Sequence, residues 1–284
     1  MKRTLITLSI LVIAVALVGM YLVRRAPDFY ARPNLSPERR ATLAREAQNQ
    51  LIRAREFAQS ARVAEVRSAT NPATTRPGPM VVDFSQDQIN SLIEKWAELD
   101  DWRAGYEKYV RDPVIIFQKD RIILAGLAKD LGAVVSLHFA THVDEQGQLI
   151  LDLERVLGGN LPMPESMYSG YREKLVGGLR GKLVNWQREA ALNPDGTVND
   201  KAVVAGMAKM LLAGLTQKPA DPYIFLPNGP GGSGAVPMRV TKFDVLNDNA
   251  ALTIMPLNTA ERQAMMQQLK QPLPSGAAVS AVNE

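Results

Sequence analysis

His138 and His142 are the only histidines in the chain. Both fall within Gly132–Val143, where Ala133, Val135, Leu137, Phe139, Thr141 and Val143 alternate as one face of a strand. That pattern puts both imidazoles on the opposite, polar face. Four residues along a strand separate them by about 13 Å. A zinc ion needs each nitrogen within about 2 Å, so the pair cannot share one ion, and no third ligand is marked. They read as surface or packing histidines.

The other groups that could do chemistry are equally unpartnered. Cysteine is absent, which excludes disulfides, thiolate metal sites and a Cys nucleophile. Asp100-Asp101 ends a predicted helix, and Asp152 and Glu154 lie on the outer face of a predicted strand. Neither cluster has a base or nucleophile beside it in the sequence, and no G-x-S-x-G occurs. Gly229–Gly234 (GPGGSG) lacks the Lys-Ser/Thr of a phosphate-binding loop and reads as a flexible hairpin connection. No catalytic residue, metal or cofactor is predicted, and the chain reads as non-enzymatic. With 33 Lys+Arg against 29 Asp+Glu, the net charge of +4 is too weak for a nucleic-acid footprint. At 284 residues and 46% hydrophobic, the chain has material for one or two folded domains.

The strongest signal is N-terminal. Leu5–Val23 carries no charge, with Lys2 and Arg3 before it and Arg24 and Arg25 after it. Such a run is long enough to cross a hydrocarbon core of about 30 Å as a helix. It exceeds the 7–15 apolar residues usual for a cleaved signal, and no small-x-small cleavage site stands directly before the Arg24-Arg25 flank, where the sequence is Tyr21-Leu22-Val23. A single-pass anchor over 1–25 is predicted. The Lys/Arg count, two before the span and five soon after, would keep the large domain in the cytoplasm. A short basic tail followed at once by an apolar run is instead similar to a signal anchor, and the domain is placed outside.

The elements that follow are read from periodicity. Residues 24–37 contain three prolines and predict an extended spacer. Ser36 is an N-cap with Pro37 at the first helical position, opening a long Arg- and Ala-rich helix to about Ser68. Its stripe of Ala44, Ala47, Leu51, Ala54, Ala58 and Ala61 buries little area per turn, so the helix either packs close against something or forms a stalk within the linker region 26–79. Its Arg face (Arg39, Arg40, Arg45, Arg53, Arg55, Arg62, Arg67) is solvated or meets anionic head groups. The compact domain is placed at 80–270, and 271–284 reads as a disordered tail.

Within the domain, residues 80–84 predict a strand. Ser85 and Gln88 form a capping box for a helix to Leu99. Strands follow at 114–117, 121–128, 132–143 and 148–156, joined by turns at Lys119-Asp120 and Asp144–Gly147. Three hairpin connections make an antiparallel meander with one dry and one wetter face. Helices are predicted at 164–191, 200–215 and 259–270, with a strand pair at 238–246 and 250–255.

Helix 164–191 is two-faced. Tyr168, Tyr171, Leu175, Leu179, Leu183 and Trp186 form an apolar stripe, with Gly170, Gly177 and Gly181 opposite. Each glycine costs about 1 kcal/mol against Ala. The glycine face therefore meets another backbone closely, or it leaves room for an apolar ligand inside a curved sheet. Helix 200–215 is apolar nearly all round, and is either buried or the Met-containing wall of a pocket. The candidate apolar groove is therefore Tyr171, Leu175, Gly177, Leu179, Gly181, Met207 and Met210.

Phe84-Ser85-x-x-Gln88-Ile89-Asn90-x-Leu92-Ile93, the strand around Ile122–Gly126, Gly147-x-Leu149-x-Leu151 and Gly159-Asn160-Leu161-Pro162-x-Pro164 carry a resemblance. Over Met80–Pro164 the chain resembles the YpmS-like family of membrane-anchored bacterial proteins of unknown function. It is similar also to the tubular lipid-binding domains of LmeA-like envelope proteins. The resemblance implies an α+β fold in which a curved antiparallel meander sheet packs around a long helix beside an apolar groove. It implies membrane lipid as the partner and carries over no catalytic residue. The alternative is a structural or assembly protein whose stalk presents the domain to envelope proteins or to a second copy.

Overall fold

A computed structural model of the protein describes residues 21–30, 35–70, 78–99, 107, 110–145, 147–227 and 234–271. The apolar run as far as Met20, Asp100-Asp101, residues 229–233 of the Gly-rich loop and the tail from Pro272 lie outside the described residues. Among the described residues no helix is long and apolar enough to cross a membrane.

The protein is α+β, with two antiparallel sheets. One is the meander: β2 (Val110–Gln118), β3 (Arg121–Ala128), β4 (Ala133–Val143), β5 (Leu149–Gly158) and the short β6 (Leu161–Pro162), in that spatial order. The other has the order β1-β9-β8-β7, built from β1 (Met80–Ser85), β7 (Tyr223–Pro227), β8 (Ala235–Leu246) and β9 (Asn249–Pro256). The predicted turns are where the residues demand them. Asp120 and Gly147 take positive φ of 59° and 74°, and the Asp144 carboxylate accepts the Gln148 N–H at 2.7 Å. The two sheets meet at hairpin tips. The Asp120 N–H donates to the Val245 carbonyl at 2.8 Å, and Asp248 N–H donates to Phe117 at 3.1 Å.

Two helices cover the β1-β9-β8-β7 sheet. α1 (Pro37–Thr70) starts at the predicted cap, with the Arg39 N–H donating to Ser36 Oγ at 3.2 Å. α2 (Gln86–Leu99) begins with the predicted capping box: Gln88 N–H donates to Ser85 Oγ, and Ser85 N–H to Gln88 Oε1 at 2.9 Å. α1 is not a stalk. Its Ala47, Ala54 and Ala58 are buried against Val82, Phe84, Met238, Val240 and Ile254. Alanine lets the helix axis approach the sheet closely, so the stripe that looked too thin for a core is a core contact. Arg40 of α1 pairs with Glu94 of α2 at 3.3 Å, while Arg39, Arg45 and Arg53 are exposed.

α3 (Glu165–Glu189), α4 (Asp200–Leu215) and α5 (Thr259–Lys270) form a helical layer of their own. Its core contains Leu183, Ala205, Ala208, Leu212, Met265 and Leu269. Helix 164–191 was expected inside the meander. It lies instead against α4 and α5, and touches the meander through Tyr168 in its first turns. The expected wetter face of the meander is wet over one part, with exposed His142 and the Arg121–Glu154 pair at 2.6 Å, and dry over the rest, where residues 27–30 cross it: Phe29 and Tyr30 pack on Ile116, Ile123, Ala125 and Val134. The spacer predicted at 24–37 is thus, over its first part, a strap docked on the sheet.

Candidate functional site

Strand alternation puts successive side chains on opposite faces. On the meander's inner face this turns Ile115 and Phe117 of β2, Ile122 and Leu124 of β3, Phe139 of β4, and Leu149 and Leu151 of β5 toward the other sheet. That sheet answers with Phe84, Ile224, Val240, Phe243, Ala250 and Leu252. Val240 and Phe243 are three apart, yet share a face because a bulge shifts the β8–β9 register between Val240 and Lys242. Ile89, Leu92 and Ile93 of α2, Leu51 of α1, and Met210, Leu211 and Gly214 of α4 complete the walls.

Between them lies a cavity of about 440 Å³. Its twenty lining residues are all apolar. One water needs roughly 10–15 Å³ of such space and two to four polar partners, so the cavity is roomy and offers water nothing to bond. Its inward-facing side chains, Ile115, Ile122, Leu124, Leu151, Ile224, Phe243 and Leu252, stay half-buried because they face a void.

Polar groups hold the rim. The Asn90 amide donates to the Ile115 carbonyl at 2.7 Å and accepts the Ile115 N–H at 2.8 Å. One turn earlier, Gln86 Oε1 accepts the Phe117 N–H at 2.9 Å. These two side chains take the place of a neighbouring strand along β2, satisfying an otherwise open edge. They fix α2 so that Ile89 and Ile93 close the cavity.

No family model, curated protein or solved structure matches this chain. The site therefore rests on its own geometry.

Of the residues predicted to line a groove, Met210 does. Met207, on the same helix, is 63% exposed and Leu175 is 48% exposed. Leu179 packs into the helical core with Leu183 and Trp186. The Tyr171 side chain lies outside the described residues. A Cβ built at Gly170, Gly177 or Gly181 would meet nothing within 4 Å, so the glycine face of α3 touches neither a backbone nor the cavity. Leu149 and Leu151 were legible as inward-facing. Alternation marks a buried face, but it does not distinguish a filled interior from an open one.

The histidines part company. His142 is exposed. His138 is 1% exposed, and its Nε2 lies 3.1 Å from Ser136 Oγ. A Ser–His hydrogen bond is the geometry of an activated nucleophile. Here the Phe29 ring stands edge-on over the imidazole at 5.5 Å, and Nδ1 has no hydrogen-bond partner where a carboxylate would orient a catalytic base. Burial, then Arg155 and Arg121, lower its pKa to about 4, so it is neutral at pH 7. Among the described residues no three His, Asp or Glu side chains stand close enough to hold a metal ion.

Proposed function

We propose that this protein is a membrane-tethered, non-enzymatic lipid-binding protein whose cavity takes the hydrocarbon chain of a membrane lipid. The observation that carries this reading is the all-apolar cavity of about 440 Å³ between the two sheets. It falls in the ~300–1,000 Å³ range of ligand pockets, but lacks the few convergent polar groups that orient a polar ligand. Its walls are apolar surface, and covering such surface with another apolar group gains about 25 cal/mol per Å². A methylene chain fills such a space without asking for a hydrogen bond, while its head group stays in water.

The uncharged run Leu5–Val23 supports the membrane side of the reading. With it goes a single-pass topology, the domain outside the cytoplasm. The lining supplies no acid, base or nucleophile, which supports a binding role over a catalytic one. The YpmS-like and tubular lipid-binding resemblance points the same way, with α1 rather than helix 164–191 as the long helix packed on a sheet. The assembly alternative relied on a free alanine stripe, and that stripe is occupied within the chain.

The test is lipid extraction and mass spectrometry of the purified full-length protein beside its Ile122→Trp variant. Ile122→Trp fills the cavity from β3 and leaves the anchor untouched. A stoichiometric lipid on the wild type that is lost in the variant is the expected result. Equal lipid on both would assign it to the anchor's surroundings and overturn the proposal.

A further inference from the structure

The chain leaving the apolar run is built into the domain rather than hanging from it. Residues 21–24 are helical, and the Leu22 carbonyl accepts the Asn160 N–H at 3.2 Å. Gly159, at φ +58°, sits so close to the Leu22 and Val23 carbonyls that a Cβ there would run into them. Further on, Pro27 is buried, Phe29 meets His138, and the Tyr30 hydroxyl donates to the Asp112 carbonyl at 2.9 Å. The point where the apolar run ends is thereby fixed to one end of the meander sheet.

That end carries exposed apolar side chains. Gly159 N–H donates to the Val134 carbonyl at 2.7 Å, and Val135 pairs with Gly158. The turn joining β3 to β4, residues 129–132, therefore closes the same end. At its tip Leu131 is 52% exposed, in a position where Gly, Asn, Asp or Ser would be usual. Met167 is exposed in the first turn of α3, just beyond β6, and Tyr21 is exposed beside Leu22. Arg24, Arg25 and Lys129 are exposed there as well.

We propose that this end of the domain lies in the bilayer interface, with Leu131 inserted at the boundary between head groups and acyl chains and the basic residues at head-group level. The proposal rests on the reading of Leu5–Val23 as the membrane span. The bilayer is the occupant because the run ends at Val23, docked against Gly159, which leaves no slack to hold this end away from the membrane. An amphipathic surface of aromatic, apolar and basic side chains is what the interface accepts. The orientation gives the cavity a route to the membrane. Val135, Leu137, Val156, Leu124 and Phe139 form an apolar row along the meander's inner face, and the last two already line the cavity.

The chain has no cysteine, so single-cysteine variants label cleanly. Full-length Leu131→Cys, Ala14→Cys and Leu246→Cys, each carrying an NBD fluorophore, are reconstituted in vesicles of equal parts phosphatidylcholine and phosphatidylglycerol. Leu246 is the exposed control. It adjoins Val245, which accepts the Asp120 N–H at the opposite end of β3, about 25 Å from Leu131 along the strand. Position 131 should shift to the blue and lose most of its emission to nitroxide-bearing lipids, as position 14 does, while 246 stays unshifted and unquenched. A quenched 14 with 131 no different from 246 overturns the orientation and leaves the anchor standing. No quenching at 14 overturns the anchor reading, and the orientation with it. Gly159→Val supplies a second variant: displacing Leu22 and Val23 should release the label at 131 from the quencher while 14 stays quenched.

Discussion

On the outer face of the meander sheet, Ile116, Ile123, Ala125 and Val134 are almost wholly buried beneath Phe29 and Tyr30. On the inner face, Ile115, Ile122, Leu124 and Leu151 are only half-buried, and they border the cavity. The strands are the same and the residue types nearly so. What differs is the cover. Over those four buried residues the outer face is covered by residues 27–30 of its own chain. The inner face looks across to a second sheet held away by α2 and α4, and the gap is not filled by any side chain. Apolar alternation marks both faces for burial, but Ile116, Ile123, Ala125 and Val134 meet a packed cover while their inner-face neighbours border a cavity.

Neighbouring isoleucines on β3 test the comparison most sharply. Ile123 is 0% exposed, and Ile123→Ala should cost about 2–5 kcal/mol, the range for truncating a packed core side chain. Ile122→Ala removes the same atoms from the edge of a void and should cost clearly less. Urea midpoints of the two variants in delipidated protein measure the difference. Equal losses would mean that the inner face is as well packed as the outer one.

His138 gives the outer face a pH dependence that the inner face lacks. Burial, with Arg155 and Arg121 adding to it and Glu154 opposing, takes its pKa from the ordinary 6.5 to about 4. Between those values the unfolded chain holds a proton that the folded chain refuses. Stability contributed by the neutral imidazole is complete above pH 6.5 and declines as pH falls toward 4. Urea titrations across that window should show a steeper decline for the wild type than for His138→Gln. Parallel curves would mean that the strap does not shield the imidazole.

The smallest effect comes from a control on neither face. Gly177 of α3 points into open space, so Gly177→Ala should raise stability by about 0.5–1 kcal/mol through helix propensity alone. The thermal midpoint should rise while lipid content stays unchanged. A loss of lipid would connect α3 to the cavity after all.

Local features were legible because their causes are local. Ser36 and Ser85 cap α1 and α2, and α4 and α5 span the residues that their periodicity marks. β7 was not legible: Tyr223–Pro227 is short and ends at a proline, and its strand character comes from pairing with β8. The glycines of α3 break helical preference conspicuously, and that points to a groove on this helix. In the folded chain those glycines meet only open space. The residues that do line the cavity look in sequence like any core strand.

The sequence by itself determined the caps, the turns at Asp120 and Gly147, the α+β order of elements apart from β7, and which side chains of the meander's middle strands face inward. Each is fixed by backbone geometry within a few residues. Tertiary structure alone decided that the alanine stripe of α1 is core, that residues 27–30 cover the apolar part of the meander's outer face, and that a void remains on its inner one. Those outcomes depend on how far apart two sheets stand. That distance is set by hairpin tips meeting at Asp120 and Val245 and by Asn90 gripping the edge of β2, contacts between residues remote in the chain.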